Sequence, residues 1–196
     1  MANRFLDAYD AFLLDIDGVI VRGSEPIPGA AATLEALRSQ GHVILLTNNS
    51  TRTRAQHAER LGRAGLEVNP EMVLSSSYLA ARHLHETYGL LTVFVVGEDG
   101  LREELRDAGH TVTAEPDAEA VVVGMDRDLT YAALRDGLTA LEGGARLVAT
   151  NDDATFPTPT GPLPGAGAIV GAFRGMGFEP EAVIGKPSST ARTASN

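Results

Sequence analysis

Two aspartates stand two residues apart at the end of a short apolar run, AFLLD, which is followed by Ile16 and Asp17. Side chains at this spacing lie on the same side of an extended segment, so the carboxylates of Asp15 and Asp17 can both face one ligand. An Asp pair after a strand can instead cap a loop, and the spacing alone does not decide. A calcium loop of the EF-hand type is excluded, because it needs Gly at its sixth position and Glu at its twelfth, where this chain has Ile20 and Pro26.

A second polar segment, TNNSTRT, follows the apolar run HVILL and precedes a helical pattern. The hydroxyl of Thr47, the amides of Asn48 and Asn49, and the free N–H groups of a helix start could together cradle an anion. Plain N-capping of the helix explains any one of these residues equally well.

The third candidate is a lysine near the end of the chain. Of the 16 basic residues, 15 are Arg and the remaining one is Lys186, which follows the run AVIG. Lysine carries a compact, strongly hydrated ammonium that arginine does not reproduce. Codon bias and chance would also account for a lone lysine.

The elements that would position these residues are apolar strands alternating with helices. AFLLDI, HVILLT and MVLS predict strands, and IPGAAATLEALRSQG and TRAQHAERLGRAG predict the helices between them. Continuous apolar strands of this kind indicate a parallel sheet covered on both faces. Ligands of such sheets bind beyond the carboxyl ends of the strands, so one crevice is expected to hold the polar residues found there: Asp15, Asp17, Gly18, Thr47, Asn48, Asn49, Ser50 and Lys186.

The middle of the chain repeats this pattern. Strands TVFVVG, HTVTA, AVVVGM and RLVATN alternate with helices GLREELRDAG and LTYAALRDGLTALEGG, followed by a Pro/Gly loop, FPTPTGPLPGAG, and a helix, AIVGAFRGMG. We therefore expect residues 1–80 to form the first part of a core, residues 90–178 an inserted α/β domain, and AVIGK in residues 179–196 to return to the first sheet. GAGAIVG does not match a dinucleotide loop, since it has one residue too many and follows no strand, and helix entry and packing explain it better.

Composition excludes several other classes of protein. The net charge of -10 and the scattered arginines argue against nucleic-acid binding, and no apolar stretch approaches the roughly 20 residues of a membrane span. The absence of Cys removes disulfides and thiolate metal sites, and the N-terminus lacks the pattern of a signal peptide. We expect a cytoplasmic protein. The five histidines are scattered and are interpreted as surface or core residues: His42, His57, His83, His85 and His110.

Three motifs in order, LLDIDGVI, LLTNNS and IGKPS, with an α/β insertion between the second and third, resemble the haloacid dehalogenase superfamily. VVVGMDRDLTYAAL and LVATNDDATFPTPTGPLPGAGAIVGAF in the insertion are similar to its NagD-like, p-nitrophenylphosphatase subgroup. The resemblance implies a Rossmannoid parallel-sheet core, here incomplete, with an inserted C2-type α/β cap.

The resemblance also implies a mechanism and a metal. By analogy Asp15 is the nucleophile that forms an aspartyl-phosphate, Asp17 is the acid and base, Thr47 holds phosphate oxygens and Lys186 balances charge. Gly18, Asn48 and Asn49 would contact the substrate. Mg²⁺ would take a side-chain oxygen of Asp15 and the backbone carbonyl of Asp17, because a carboxylate approaches a phosphate dianion poorly without a cation.

The insertion resembles the cap that closes over the substrate. Asn151 and Asp153, in the segment TNDD, are the candidate specificity residues, because TNDD ends a cap strand and precedes a Pro-rich loop. A surface turn is the alternative interpretation.

The family carries a further acidic motif on the strand after the lysine, whereas SSTARTASN has no apolar periodicity. The chain therefore reads as a phosphatase that lacks its last core segment, with a weakened Mg²⁺ site and reduced activity. The favoured function is a Mg²⁺-dependent phosphatase of small phosphorylated metabolites, and a homo-oligomer stays open. The alternative is a non-catalytic member that binds a phosphorylated ligand or a partner chain.

Overall fold

The computed structural model describes residues 8–158 and 160–188, which fall into two compact units. The first unit contains residues 8–47 and 54–74, and the second contains residues 48–53 and the described residues from 75 onward. Both units are built from strands and helices that alternate along the chain.

The first unit is a small sheet with two helices. Its elements are strand β1 (Ala11–Asp15), the hairpin β2 (Val21–Arg22) and β3 (Glu25–Pro26), helix α1 (Ala30–Gln40), β4 (His42–Thr47), helix α2 (Arg54–Arg63), a 3-10 turn (Pro70–Met72) and β5 (Val73–Ser75), whose last residue belongs to the second unit. The sheet order is β1-β4-β5, and β1 and β4 are parallel.

Helix α1 shows how the local sequence sets the limits of an element. Gly29, with φ 87°, precedes it in a backbone conformation that other residues rarely adopt. Leu34 and Leu37 are buried at helical spacing, and the N–H of Gly41 donates to Leu37 where the helix ends. A side chain at Gly41 would meet the carbonyl oxygen of Asp10 at 2.3 Å, so this position requires glycine.

The core of the first unit lies between its sheet and its helices. Its buried members are Ile16, Ile20, Val21, Ala30, Leu34, Leu37, Val43, Leu45, Leu61, Leu66 and Val73. Complete burial of a side chain such as Leu45 or Leu61 stabilises the fold by roughly 1.5–3 kcal/mol. Ile16 is fully buried beside two candidate aspartates and anchors the segment that carries them.

The second unit is a five-stranded parallel sheet with helices. It contains α3 (Ser76–Tyr88), β6 (Thr92–Val96), α4 (Asp99–Asp107), β7 (Thr111–Thr113), β8 (Ala120–Val123), α5 (Tyr131–Glu142), β9 (Arg146–Ala149), β10 (Thr155–Thr158), β11 (Gly161–Pro164), α6 (Ala166–Gly175) and β12 (Ala182–Val183). The strand order is β12-β9-β8-β6-β7, and all four neighbouring pairs are parallel.

The strands of this sheet are apolar without alternation because helices cover both faces. All four residues of β8 are fully buried, and Phe173 of α6 has no exposed surface. A side chain at Gly137 of α5 would meet the Phe173 ring at 2.9 Å, so the glycine lets α5 approach α6 closely.

The predicted α/β fold with parallel sheets is confirmed, but two local predictions are wrong. AVIGK does not return to the first sheet: β12 pairs with β9, with Ala182 opposite Val148 and Val183 opposite Ala149. The prediction failed because a short apolar strand has the same sequence pattern in either parallel sheet. The boundaries of the inserted domain, at residues 90 and 178, stay a prediction.

The second wrong prediction is the Pro/Gly loop, which forms the antiparallel hairpin of β10 and β11. Pro157 lies opposite Pro162, and prolines are tolerated where a hairpin edge needs no N–H donor. Within the residues described, no helix is long and apolar enough to cross a membrane.

Candidate active site

The end of β1 is set beside the end of β4 by their parallel register. Asp15 pairs with Leu46, and the N–H of Ile16 donates to the carbonyl of Leu46 at 3.0 Å. Asp17 and Thr47 therefore emerge at the same edge of the sheet, as expected for residues beyond the carboxyl ends of parallel strands.

A tight turn after β1 presents Asp17. The N–H groups of Ile20 and Val21 both donate to the carbonyl of Ile16, at 3.0 Å each, and the N–H of Gly18 donates to Val21 at 2.8 Å. Gly18 has φ 89°, a left-handed conformation that favours glycine. The structure thus explains Gly18 by backbone conformation, and its predicted substrate contact stays a prediction.

The carboxylate of Asp17 is held from both sides. The hydroxyl of Thr47 donates to Oδ2 at 3.1 Å, and Nη2 of Arg60 donates to Oδ1 at 3.0 Å. The Arg60 and Asp17 side chains are 19% and 25% exposed, so solvent screens this ion pair only in part. The structure therefore brings together two predicted residues, Asp17 and Thr47.

Arg60 is a functional candidate that sequence reasoning missed. Arg60 lies in α2 next to Leu61, which is fully buried. The Nε of Arg60 is also buried and has no hydrogen-bond partner in the described structure. The signal in the sequence was an arginine one residue from the apolar stripe of an amphipathic helix. A charge held so close to a core needs a partner, and that partner is Asp17.

The loop after Thr47 belongs to the second unit and is held by its own polar side chains. Oδ1 of Asn49 accepts from the N–H and the hydroxyl of Thr51, at 3.0 and 2.7 Å. The hydroxyl of Ser50 accepts from the N–H of Met125 at 3.2 Å. Asn49 is 8% exposed and shapes the loop, so its role as a substrate contact stays a prediction.

Lys186 is placed by a continuation of the β12–β9 pairing. The N–H of Ile184 donates to Ala149 at 3.0 Å, and that of Gly185 donates to Thr150 at 2.8 Å. The next N–H, that of Lys186, donates to Oδ1 of Asn48 at 2.8 Å. Lys186 is therefore attached to the loop that begins with Asn48, within the second unit.

The TNDD segment is buried at Thr150 and Asn151 and exposed at Asp152 and Asp153. Asn151 is 3% exposed, its amide donates to the carbonyl of Asn48 at 2.8 Å, and its Oδ1 accepts from the N–H of Asp153 at 3.1 Å. Both carboxylate oxygens of Asp152 bind Arg174, at 2.8 and 3.0 Å. Asp153 accepts from the Asn48 amide at 2.8 Å, so the structure brings Asn48, Asn151 and Asp153 together, and substrate contact by them stays a prediction.

The motif GAGAIVG starts a helix, as the sequence indicated. α6 begins at Ala166, and the N–H of Gly167 donates to the carbonyl of Asp153 at 2.9 Å. Side chains at Gly165 and Gly167 would meet carbonyl oxygens of Asp153 and Asp152 at 2.2 and 2.5 Å. These glycines pack the TNDD turn against the helix start.

The donors at the end of β1 fit a hydrated divalent cation. Across residues 8–158 and 160–188, no three His, Cys, Asp or Glu side chains form a group that could hold a metal. Mg²⁺ needs no such cage, since it binds through one or two carboxylates and keeps several waters. The carboxylate of Asp15 and the carbonyl of Asp17 are hard oxygen donors of the kind that Mg²⁺ takes.

A cavity of about 310 Å³ lies elsewhere in the first unit. Its lining contains none of the predicted site residues and consists of Ala31, Leu34, Glu35, Arg38, Gly65, Leu66 and Glu67. The candidate chemistry is therefore at the strand ends rather than in this cavity.

Comparisons with known proteins identify the family of the chain. The family described as haloacid dehalogenase-like hydrolase matches residues 12–111. An acid sugar phosphatase of Staphylococcus epidermidis is 35% identical over 182 residues, which cover 91% of this chain and 70% of that protein.

Solved structures extend the likeness to the fold. A p-nitrophenyl phosphatase from Archaeoglobus fulgidus superposes with a TM-score of 0.89 at 39% identity, over 94% of this chain and 72% of that one. A glycerol phosphate phosphatase from Mycobacterium tuberculosis, in complex with magnesium, has a TM-score of 0.88 at 31% identity, over 95% of this chain and 57% of that one. With a family match over half of its length and such relatives, the chain belongs to the haloacid dehalogenase-like hydrolases, in the NagD-like p-nitrophenylphosphatase subgroup.

Proposed function

We propose that the chain is a Mg²⁺-dependent phosphatase of small phosphorylated metabolites that acts through an aspartyl-phosphate. The observation that carries the proposal is the Asp17 carboxylate held between the Thr47 hydroxyl and Arg60 beside the end of β1, in a chain of this hydrolase family. Sugar phosphates are the first substrates to test, because a relative is named an acid sugar phosphatase.

The first half of the reaction transfers the phosphoryl group to the protein. An Oδ of Asp15 forms a bond to phosphorus as the bond from phosphorus to the leaving oxygen breaks. Asp17 enters this step as the carboxylic acid and donates its proton to that oxygen, so an alcohol departs. Thr47 orients the carboxylate of Asp17 through its hydroxyl, and Arg60 limits the rotation of the same carboxylate from the other side.

The second half returns the protein to its starting state. Asp17, now a carboxylate, takes a proton from water as the water oxygen attacks phosphorus. The bond between Asp15 and phosphorus breaks, inorganic phosphate leaves, and the Asp15 carboxylate is restored. By the family resemblance, Lys186 would supply positive charge for the phosphoryl oxygens. Asp15 and the Asp17 carbonyl would hold Mg²⁺, which would supply further charge neutralisation.

The test is hydrolysis of p-nitrophenyl phosphate with and without Mg²⁺, for the 196-residue protein and for Asp15→Asn. Removal of a nucleophile should lower kcat by roughly 10³-fold or more. Asp10→Asn is the matched control, because Asp10 is exposed just before β1, and it should keep kcat within about twofold. Equal activity of Asp15→Asn and the unchanged protein would refute the mechanism through an aspartyl-phosphate.

The second candidate function is the non-catalytic alternative that the sequence left open. In this case the protein binds a phosphorylated ligand without turnover. Vanadate binding separates the two functions, because a catalytic site should bind vanadate only with Mg²⁺ present. Residues 189–196 lie outside the described structure, and the reduction in turnover predicted from them stays a prediction.

A further inference from the structure

In the side-chain amide of Asn48, the oxygen accepts a hydrogen bond and both N–H groups donate one. Oδ1 accepts from the backbone N–H of Lys186 at 2.8 Å. Nδ2 donates to the backbone carbonyl of Lys186 at 3.0 Å and to Oδ2 of Asp153 at 2.8 Å. An asparagine Nδ2 has two hydrogens, so both are in use, and the amide orientation is set by one N–H donor and two oxygen acceptors.

The two bonds to Lys186 are those that a neighbouring β-strand would make. The amide of Asn48 accepts from the N–H and donates to the carbonyl of the same residue, and so it continues the ladder that holds Ile184 and Gly185. It fixes the backbone of Lys186 one residue beyond the last strand contact.

The neighbouring residue shows that this approach is close. A side chain at Gly185 would meet Oδ1 of Asn48 at 2.5 Å and the carbonyl of Thr150 at 2.8 Å. The backbone of Asn48 is itself held, because its carbonyl accepts from the Ser76 hydroxyl and the Asn151 amide, each at 2.8 Å.

We propose that Asn48 is a positioning residue that fixes the backbone of Lys186, and that it does not bind substrate. The inference rests on the proposed function for its effect on turnover. A substrate contact through Nδ2 would require Asn48 to release Lys186 or Asp153, whereas the positioning role uses every bond in the structure. Asp153 then acts through Asn48, by holding the amide in the orientation that Lys186 needs.

The lone lysine makes the test direct. Protein labelled with 15N-lysine gives one backbone amide signal, that of Lys186, and its hydrogen exchange reports the bond to Asn48. In Asn48→Ala this exchange should accelerate on the order of tenfold, because a hydrogen bond is lost. The value of kcat/KM for p-nitrophenyl phosphate should fall roughly 10- to 100-fold through misplacement of the ammonium.

Two further variants separate positioning from general loosening. Asn48→Asp has nearly the same shape but loses both donated bonds and faces the Asp153 carboxylate, so it should also lower kcat/KM. It replaces Asn48→Ala in the test if that variant folds poorly. Asn69→Ala removes an exposed asparagine side chain that accepts from the N–H of Glu71 in the first unit, so exchange and kcat/KM should stay within about twofold.

Each result decides the inference. Unchanged exchange of the Lys186 amide in Asn48→Ala overturns it, and so does faster exchange with unchanged kcat/KM. A change in the ratio of kcat/KM between glycerol phosphate and p-nitrophenyl phosphate beyond about threefold assigns Asn48 to the substrate instead. If the unchanged protein hydrolyses nothing, the proposed function fails. The role of Asn48 is then judged by the shift of the Lys186 signal with inorganic phosphate and Mg²⁺, which Asn48→Ala should abolish and Asn69→Ala should keep.

Discussion

The ion pair between Arg60 and Asp17 gives a quantitative prediction. Replacing Arg60 by Met keeps the length of the side chain and a similar helix propensity, and removes the charge. The Asp17 carboxylate loses a charged hydrogen bond of 3.0 Å in a setting where the two side chains are 19% and 25% exposed. Charged hydrogen bonds contribute about 1.5–3 kcal/mol, so we expect a loss of about 2 kcal/mol in the free energy of unfolding.

Arg63→Met is the matched control on the same helix. Arg63 pairs with Glu59 at i,i+4 spacing, with side chains 75% and 61% exposed, and such pairs contribute about 0.3–0.5 kcal/mol. For a chain of this size 1 kcal/mol shifts Tm by about 2–4 °C. We therefore expect Arg60→Met to lower Tm by about 4–8 °C and Arg63→Met to lower it by less than about 2 °C. Thermal unfolding followed by circular dichroism measures both values.

Two results would refute this reasoning. One is an equal fall in Tm for the two variants. The other is additivity in a double-mutant cycle, in which Arg60→Met costs the same in an Asp17→Asn background as in the unchanged protein. At about 1 M NaCl, where the Debye length is about 3 Å, the Arg63 effect should vanish, while most of the Arg60 effect should remain because the pair is only partly solvated.

Three other predictions follow from packing and burial. Gly100→Ala places a methyl group 2.3 Å from the Cα of Arg52 and should lower the free energy of unfolding in urea by about 2 kcal/mol or more. Gly171→Ala is the control, because open space surrounds this position, and it should be neutral or stabilising by up to about 1 kcal/mol. A similar loss for both variants would contradict the close approach. Phe173→Ala empties a fully buried site and should cost about 3–5 kcal/mol, and a loss under about 1 kcal/mol would contradict that burial. Burial lowers the pKa of His83 in the folded protein, so the unfolded chain takes up its proton first as the pH falls. The free energy of unfolding should therefore decline as the pH falls from the unfolded pKa of about 6.5 through the lowered folded pKa. His83→Gln should lessen the fall in Tm between pH 7.5 and pH 5.5.

The sequence predicted the parts of the molecule that depend on local periodicity and on motif order. Leu34 and Leu37, with Gly41 after them, indicate α1, and the structure ends that helix at Gln40. AVVV and HVILLT indicate buried parallel strands because they are apolar without alternation. The spacing of Asp15 and Asp17 after such a strand, with Thr47 after the next, indicates a shared edge because parallel strands end on the same side.

Only the tertiary structure decided which distant residues meet. AVIGK could join either parallel sheet by its composition, and the choice of β9 depends on backbone pairing that no local pattern encodes. The contacts of Arg60 with Asp17 and of Asn48 with Lys186 span 43 and 138 residues, so no periodicity within one element could reveal them. A sequence shows which side chains can donate and accept, and the folded backbone determines which of them lie within 3 Å of each other.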